Sequence, residues 1–113
     1  MKVPTLPNRG LANERWFEFS FNEQMANIGA EVGRTINWKE KNNKFAKVAF
    51  DRALELLFLT KADPKNQIRL KELCRVNKHL VDWYGGSKEY SSTDADWEKY
   101  FYAFNYACRV NLD

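Results

Sequence analysis

The chain contains few of the residues that bind metals or form disulfides. Its 113 residues include one histidine, His79, and two cysteines, Cys74 and Cys108, which lie 34 positions apart. A zinc site needs several Cys, His or carboxylate ligands at short spacings, so the sequence indicates no metal, and it contains no glycine-rich phosphate loop that would indicate another cofactor. Both cysteines fall within helical apolar patterns, and we expect reduced core thiols in a cytoplasmic protein.

Long apolar runs and blocks of like charge are also missing. Runs such as residues 56–59 are far shorter than the roughly 20 apolar residues that a membrane-spanning helix needs. No apolar stretch follows Lys2, which argues against a secretory signal. The formal net charge of +3 is too mild to indicate nucleic acid or an anionic membrane by itself. We therefore expect no association with a membrane.

Proline and glycine are scarce, and their positions divide the chain. Pro4, Pro7 and Gly10 fall in the first ten residues, where proline prevents a regular helix. This predicts an irregular N-terminal arm over residues 1–13. Residues 14–113 carry apolar side chains at spacings of three and four and show no alternation of period two. They predict a single all-α domain, an antiparallel up-and-down four-helix bundle.

Capping residues and apolar spacing predict the limits of the four helices. The first runs from about 14 to 41, and the second, from about 44 to 61, is so apolar that we expect it to be central. Asp63 and Pro64 predict the start of a third helix that ends near Tyr84, with Gly85 as its left-handed cap. Thr93 and Asp96 resemble a capping box at the start of the fourth.

Two helix faces are candidate interfaces. Gly29 and Gly33 lie on one face of the first helix, and each glycine costs about 1 kcal/mol relative to alanine, which close approach of another backbone would offset. That backbone belongs either to a neighbouring helix of the same chain or to a second copy. Tyr102, Tyr106 and Arg109 share a face of the fourth helix. Such a face suits a second subunit or the N-terminal arm, and stacked nucleic-acid bases are a further candidate partner.

Arg75 and His79 are the candidate catalytic pair, because a spacing of four puts them on one helical face. One interpretation is a solvated face in which Glu72 pairs with Arg75 and Lys78 pairs with Asp82. The alternative is a site in which His79 takes the proton of a ribose 2′-hydroxyl and Arg75 stabilises charge on the phosphate. The spacing alone leaves both open.

A small four-helix bundle with an arginine shortly before a histidine resembles the HEPN superfamily. The segment Arg75–His79, "RVNKH", has three residues between the two, one fewer than the usual Arg-x4-6-His motif, and Val76 stands where a polar residue often follows. The resemblance implies a metal-independent ribonuclease, a toxin or an accessory protein, with two copies of the motif meeting across a dimer. Residues 52–76 and 97–109 are also similar to small bacterial helical proteins, which implies a fold and no activity.

Taken together, these features predict a binding or assembly module rather than an enzyme. We expect it to act through self-association as a homodimer or through a partner protein, using the Gly29 and Gly33 face and the Tyr102, Tyr106 and Arg109 face. The alternative function is HEPN-like ribonuclease activity or an accessory role of the toxin and antitoxin type.

Overall fold

The computed structural model describes residues 14–86 and 89–111, and in these ranges the chain is helical with no β-strand. After one turn over residues 14–17 come helices α1 (Phe21–Trp38), α2 (Asn43–Ala62), α3 (Leu70–Gly85) and α4 (Asp94–Asn111). A 3₁₀ helix (Pro64–Arg69) joins α2 to α3. The predicted all-α class is therefore confirmed, whereas the predicted arm over residues 1–13 lies outside the described residues.

The prediction of one continuous helix from 14 to 41 is wrong, because the helix is interrupted over residues 18–20 and begins again at Phe21. The Ser20 hydroxyl accepts a hydrogen bond from the Glu23 N–H at 3.1 Å, and the Glu23 carboxylate accepts one from the Ser20 N–H at 2.9 Å. This capping box starts α1. Phe17 and Phe21 keep the spacing of four across the break, so apolar periodicity alone does not reveal it.

Two other predicted helix limits need correction. The segment after Asp63 begins as a 3₁₀ helix, and Asp63 caps it as predicted by accepting from the Lys65 N–H at 3.1 Å. The left-handed residue that ends α3 is Gly86, with φ of 88°, and not Gly85 as predicted. Gly85 is still helical, because the last helical hydrogen bond runs from the Gly86 N–H to the Asp82 carbonyl. The capping box of Thr93 and Asp96 is confirmed, with hydrogen bonds of 3.0 and 3.1 Å.

The core forms where α1 packs against both α2 and α4 and where α2 packs against α3. The fully buried apolar side chains larger than alanine are Met25, Ile28, Val32, Leu57, Leu73 and Leu80. Helix α2 nevertheless leaves Phe45 and Val48 more than half exposed, so it buries only part of its apolar surface. The expectation of two core cysteines is wrong for Cys74, which is exposed, while Cys108 is half-buried.

A buried polar network joins the first helical turn to the rest of the domain. The Gln24 side-chain amide donates to the Trp16 carbonyl at 3.0 Å and to the Asp63 carboxylate at 2.8 Å, and it accepts from Asn66 at 2.9 Å. Burial raises the pKa of Asp63, but hydrogen bonds from Lys65 and Gln24 more than offset this, so the pKa lies below its usual value. The carboxylate is therefore held in its charged form.

Candidate functional site

The two predicted interface faces are joined by Tyr102, which lines the same groove between α1 and α4 as the two glycines. The groove has a volume of about 300 Å³, and both Gly29 and Gly33 of α1 line it together with Tyr102 of α4. Small side chains on α1 and aromatic ones on α4 account for its shape. Its other lining residues include Ala26, Ala30, Ile36, Trp97, Phe101 and Asn105. Nothing in the sequence indicates that these faces are adjacent.

The two glycines of this groove have different surroundings. A Cβ atom at Gly29 would lie 2.6 Å from the Cβ of Phe101, so α1 and α4 of the same chain are in close contact at Gly29. At Gly33, no neighbouring atom in the described part of the chain lies within 4 Å of where a Cβ would stand. Gly33 is exposed, and a second backbone has room to approach it.

The α4 side of the groove is an exposed aromatic edge. Tyr102 is 54% exposed and Tyr106 is 51% exposed, and their rings stack with centroids 6.2 Å apart. The Arg109 guanidinium donates a hydrogen bond of 3.4 Å to the Tyr102 hydroxyl. These contacts hold the three side chains as one surface, which we call the tyrosine edge. Tyrosine suits such a boundary because its ring is apolar and its hydroxyl is polar.

Arg75 and His79 line a second cleft, between α3 and α4, with a volume of about 530 Å³. The Arg75 side chain is exposed, and it forms no hydrogen bond or ion pair with any residue that the structure describes. The other residues that line the cleft are Glu72, Val76, Ser92, Asp96, Trp97 and Tyr100. The cleft thus combines a cation and an imidazole with two carboxylates and two aromatic rings.

The His79 ring is positioned by the segment that follows α3. It stacks on the Tyr90 ring, with centroids 4.0 Å apart and planes inclined by 15°. The buried Asp82 carboxylate in turn accepts hydrogen bonds from the N–H groups of Glu89, at 2.8 Å, and Tyr90, at 3.1 Å. Asp82 therefore anchors the backbone of the residue on which His79 stacks.

The carboxylates expected to neutralise Arg75 and Lys78 have other partners. Glu72 accepts a hydrogen bond of 3.0 Å from the Tyr100 hydroxyl, and Asp82 accepts from the backbone after α3. Burial, the charge of Glu72 and this hydrogen bond together raise the pKa of Tyr100 well above its usual value, which keeps the phenol protonated. Tyr100 therefore acts as a donor that directs Glu72 toward α4.

Sequence reasoning missed Asp96 and Tyr100 as cleft residues. Both are on α4, at spacings of one and three from the core residue Trp97. These spacings place the two residues beside the core face of α4, but they do not indicate that α3 is the neighbouring helix.

Within the described ranges, no group of three or more His, Cys, Asp or Glu residues could hold a metal ion. None of the helices described is long and apolar enough to cross a lipid bilayer. No family model, curated protein or solved structure matches the chain.

Proposed function

We propose that this protein is a binding and assembly module that forms a homodimer through the groove between α1 and α4. The observation that carries the proposal is that Tyr102, which stacks on Tyr106, lines the same groove as Gly29 and Gly33. A surface that combines the exposed small residues Ala30 and Gly33 with half-exposed aromatic rings suits self-association, because the aromatic edge of one copy can fill the groove of the other.

The surface has the chemistry of a subunit interface. Tyr102 and Tyr106 offer a large apolar area with few rotatable bonds, so that burying them loses little conformational entropy. Gly33 and Ala30 allow close contact along α1, where both are exposed. Arg109, which already donates to Tyr102, supplies a polar rim. Burial of the aromatic surface would stabilise the dimer.

The proposal includes the finer arrangement of the fold, an antiparallel up-and-down bundle of four helices. Packing of α1 on α2, of α2 on α3 and of α4 on α1 supports it. Further support comes from the four-residue connection over residues 39–42 and the eight-residue connection over residues 86–93, since short connections favour antiparallel neighbours. We propose a cytoplasmic location for this module, as expected from its lone cysteines.

Filling the groove at Gly33 should weaken the homodimer. Because a Cβ at Gly33 would meet no neighbouring atom of the described chain, a Leu side chain there extends into the groove that the second copy would occupy, and we expect Gly33→Leu to raise the dimer dissociation constant by about tenfold or more. Sedimentation equilibrium from low to high micromolar protein measures this constant. Gly85→Leu is the matched control, since Gly85 also has no neighbouring atom of the described chain within 4 Å of a Cβ and does not line the groove.

Two results would contradict the homodimer. The first is a wild-type protein that remains monomeric at high micromolar concentration. The second is a Gly33→Leu variant that associates as tightly as the wild type and the Gly85→Leu control.

A second candidate function is metal-independent cleavage of RNA at the cleft between α3 and α4. The observation that favours it is that Arg75 and His79 line the same cleft and that Arg75 has no ion pair within the described chain. His79 would take the proton of a ribose 2′-hydroxyl, whose oxygen attacks the adjacent phosphorus while Arg75 stabilises the added negative charge. The P–O5′ bond breaks, and water protonates the leaving oxygen, which gives a 2′,3′-cyclic phosphate and a 5′-hydroxyl.

Incubation of the protein with single-stranded RNA in the presence of EDTA tests this candidate. We expect His79→Ala to lower the cleavage rate by about 100-fold or more, because a general base contributes that much. Cys74→Ala, an exposed position on the same helix that does not line the cleft, should leave the rate unchanged. Cleavage that needs a metal, or that survives His79→Ala, would show that the pair has no catalytic role.

A further inference from the structure

Positive charge is concentrated in one segment that runs from the 3₁₀ helix along α3. Residues 65–79 contain five Lys and Arg residues and one acidic residue, Glu72, a formal charge of +4 against +3 for the whole chain. All five cationic residues are exposed. They are Lys65, Arg69, Lys71, Arg75 and Lys78. We refer to them as the basic face.

Three of these cations have neither an ion pair nor a ring contact within the described part of the chain. Lys65 pairs with Asp63, and the Arg69 guanidinium lies 4.3 Å from the centroid of the Phe21 ring. Lys71, Arg75 and Lys78 form no ion pair with any described residue. Their spacings of four and three put them on one side of α3. The half-buried Glu72 carboxylate is engaged by Tyr100, so the three charges remain available to a partner.

An exposed apolar side chain lies near the N-terminal end of this basic face. Ile68 is 88% exposed, the largest exposed fraction among the bulky apolar side chains of the described chain. It borders a concave surface of about 400 Å³ whose other lining residues are three cations, Arg69, Lys71 and Arg75, and one carboxylate, Glu72. The apolar surface of Ile68 is therefore in contact with water, and a partner that binds the neighbouring cations could cover it. A partner that covers it must supply both negative charge and an apolar group.

We propose that the basic face binds an acidic segment of a partner protein, in which an apolar side chain lies among carboxylates. The carboxylates complement Lys71, Arg75 and Lys78, and the apolar side chain covers Ile68. A sugar-phosphate backbone offers the charge but no aliphatic group for Ile68, and a bilayer surface is flat where this surface is concave. The basic face is separate from the groove between α1 and α4, so this proposal does not depend on the homodimer.

A labelled peptide in which leucines interrupt a run of glutamates is the probe, and fluorescence anisotropy measures its binding. We expect the double variant Lys71→Glu and Lys78→Glu to weaken binding by about tenfold or more, because charge reversal replaces attraction with repulsion. Ile68→Ser should weaken it by about fivefold, and replacing the leucines of the peptide with serine should do the same. Raising the salt concentration should weaken binding of the wild type.

The controls make the same chemical changes on or beside α2. Lys41→Glu with Lys44→Glu matches the change in net charge at two exposed positions, and Val48→Ser matches the loss of an exposed aliphatic side chain. Both controls should bind the peptide as the wild type does. Three outcomes would overturn the proposal: no binding at low salt, equal loss in variant and control, or stronger binding of oligouridylate or phosphatidylserine vesicles than of the peptide.

Discussion

Gly29→Ala is expected to destabilise the protein by about 1–2 kcal/mol, although alanine is the better helix former. The added Cβ would stand 2.6 Å from the Cβ of Phe101 and 2.9 Å from its Cγ. These atoms are close to the α4 backbone, so they cannot move aside as the end of a flexible side chain would. The two helices must separate, and the packing lost outweighs the gain of about 1 kcal/mol in helix propensity.

Gly33→Ala, one turn later in the same helix, should have the opposite effect. Its Cβ meets no neighbouring atom of the described chain, so the helix-propensity gain of about 0.5–1 kcal/mol should appear as added stability. Urea denaturation followed by circular dichroism measures both free energies of unfolding. It should be run at a protein concentration at which the chain is monomeric. Equal signs for the two substitutions would refute the close helix crossing at Gly29.

Gln24→Leu is expected to cost about 2–4 kcal/mol, because it removes polar partners from a site that water does not reach. Gln24 is completely buried. Leucine would leave the Trp16 carbonyl without this donor and would deprive the Asp63 carboxylate of one of its hydrogen bonds. The similar size of the two side chains keeps the packing term small, so that most of the loss comes from unsatisfied polar groups.

Asn27→Leu is the matched control for Gln24→Leu. Asn27 lies on the same helix, and its amide donates to the Glu23 carbonyl at 2.8 Å, but it is exposed. Water can replace that bond, so we expect a change within about 0.5 kcal/mol. Chemical denaturation gives both values. Tryptophan fluorescence should also change in Gln24→Leu if the first turn, which carries Trp16, detaches. A loss of unfolding free energy no larger than that of Asn27→Leu would mean that the network does not stabilise the domain.

Local rules made much of the fold predictable. The apolar spacing of Met25, Ile28 and Val32 correctly indicated the buried side of α1, because burial follows the helical repeat. Asp63 and the pair of Thr93 and Asp96 were recognisable as caps, since capping depends on residues only a few positions apart. The break at Ser20 escaped notice because its capping box lies inside an uninterrupted apolar stripe.

The sequence identifies individual residues of the candidate sites but not which of them lie together. The rotation of each helix about its axis decides which side chains meet, and it depends on contacts such as that between Gly29 and Phe101, which are 72 positions apart. The sequence therefore indicated the small-residue face and the tyrosine edge without bringing them together. The net charge of the whole chain does not indicate the basic face, whereas the charge of residues 65–79 alone does.

The uneven distribution of charge gives the molecule an electric dipole moment. Residues 65–79 carry a formal charge of +4 and the whole chain carries +3, so the remaining residues together carry −1. An approaching anionic molecule therefore exerts a torque that turns the basic face toward it before contact. At low ionic strength the protein meets charged surfaces in a preferred orientation.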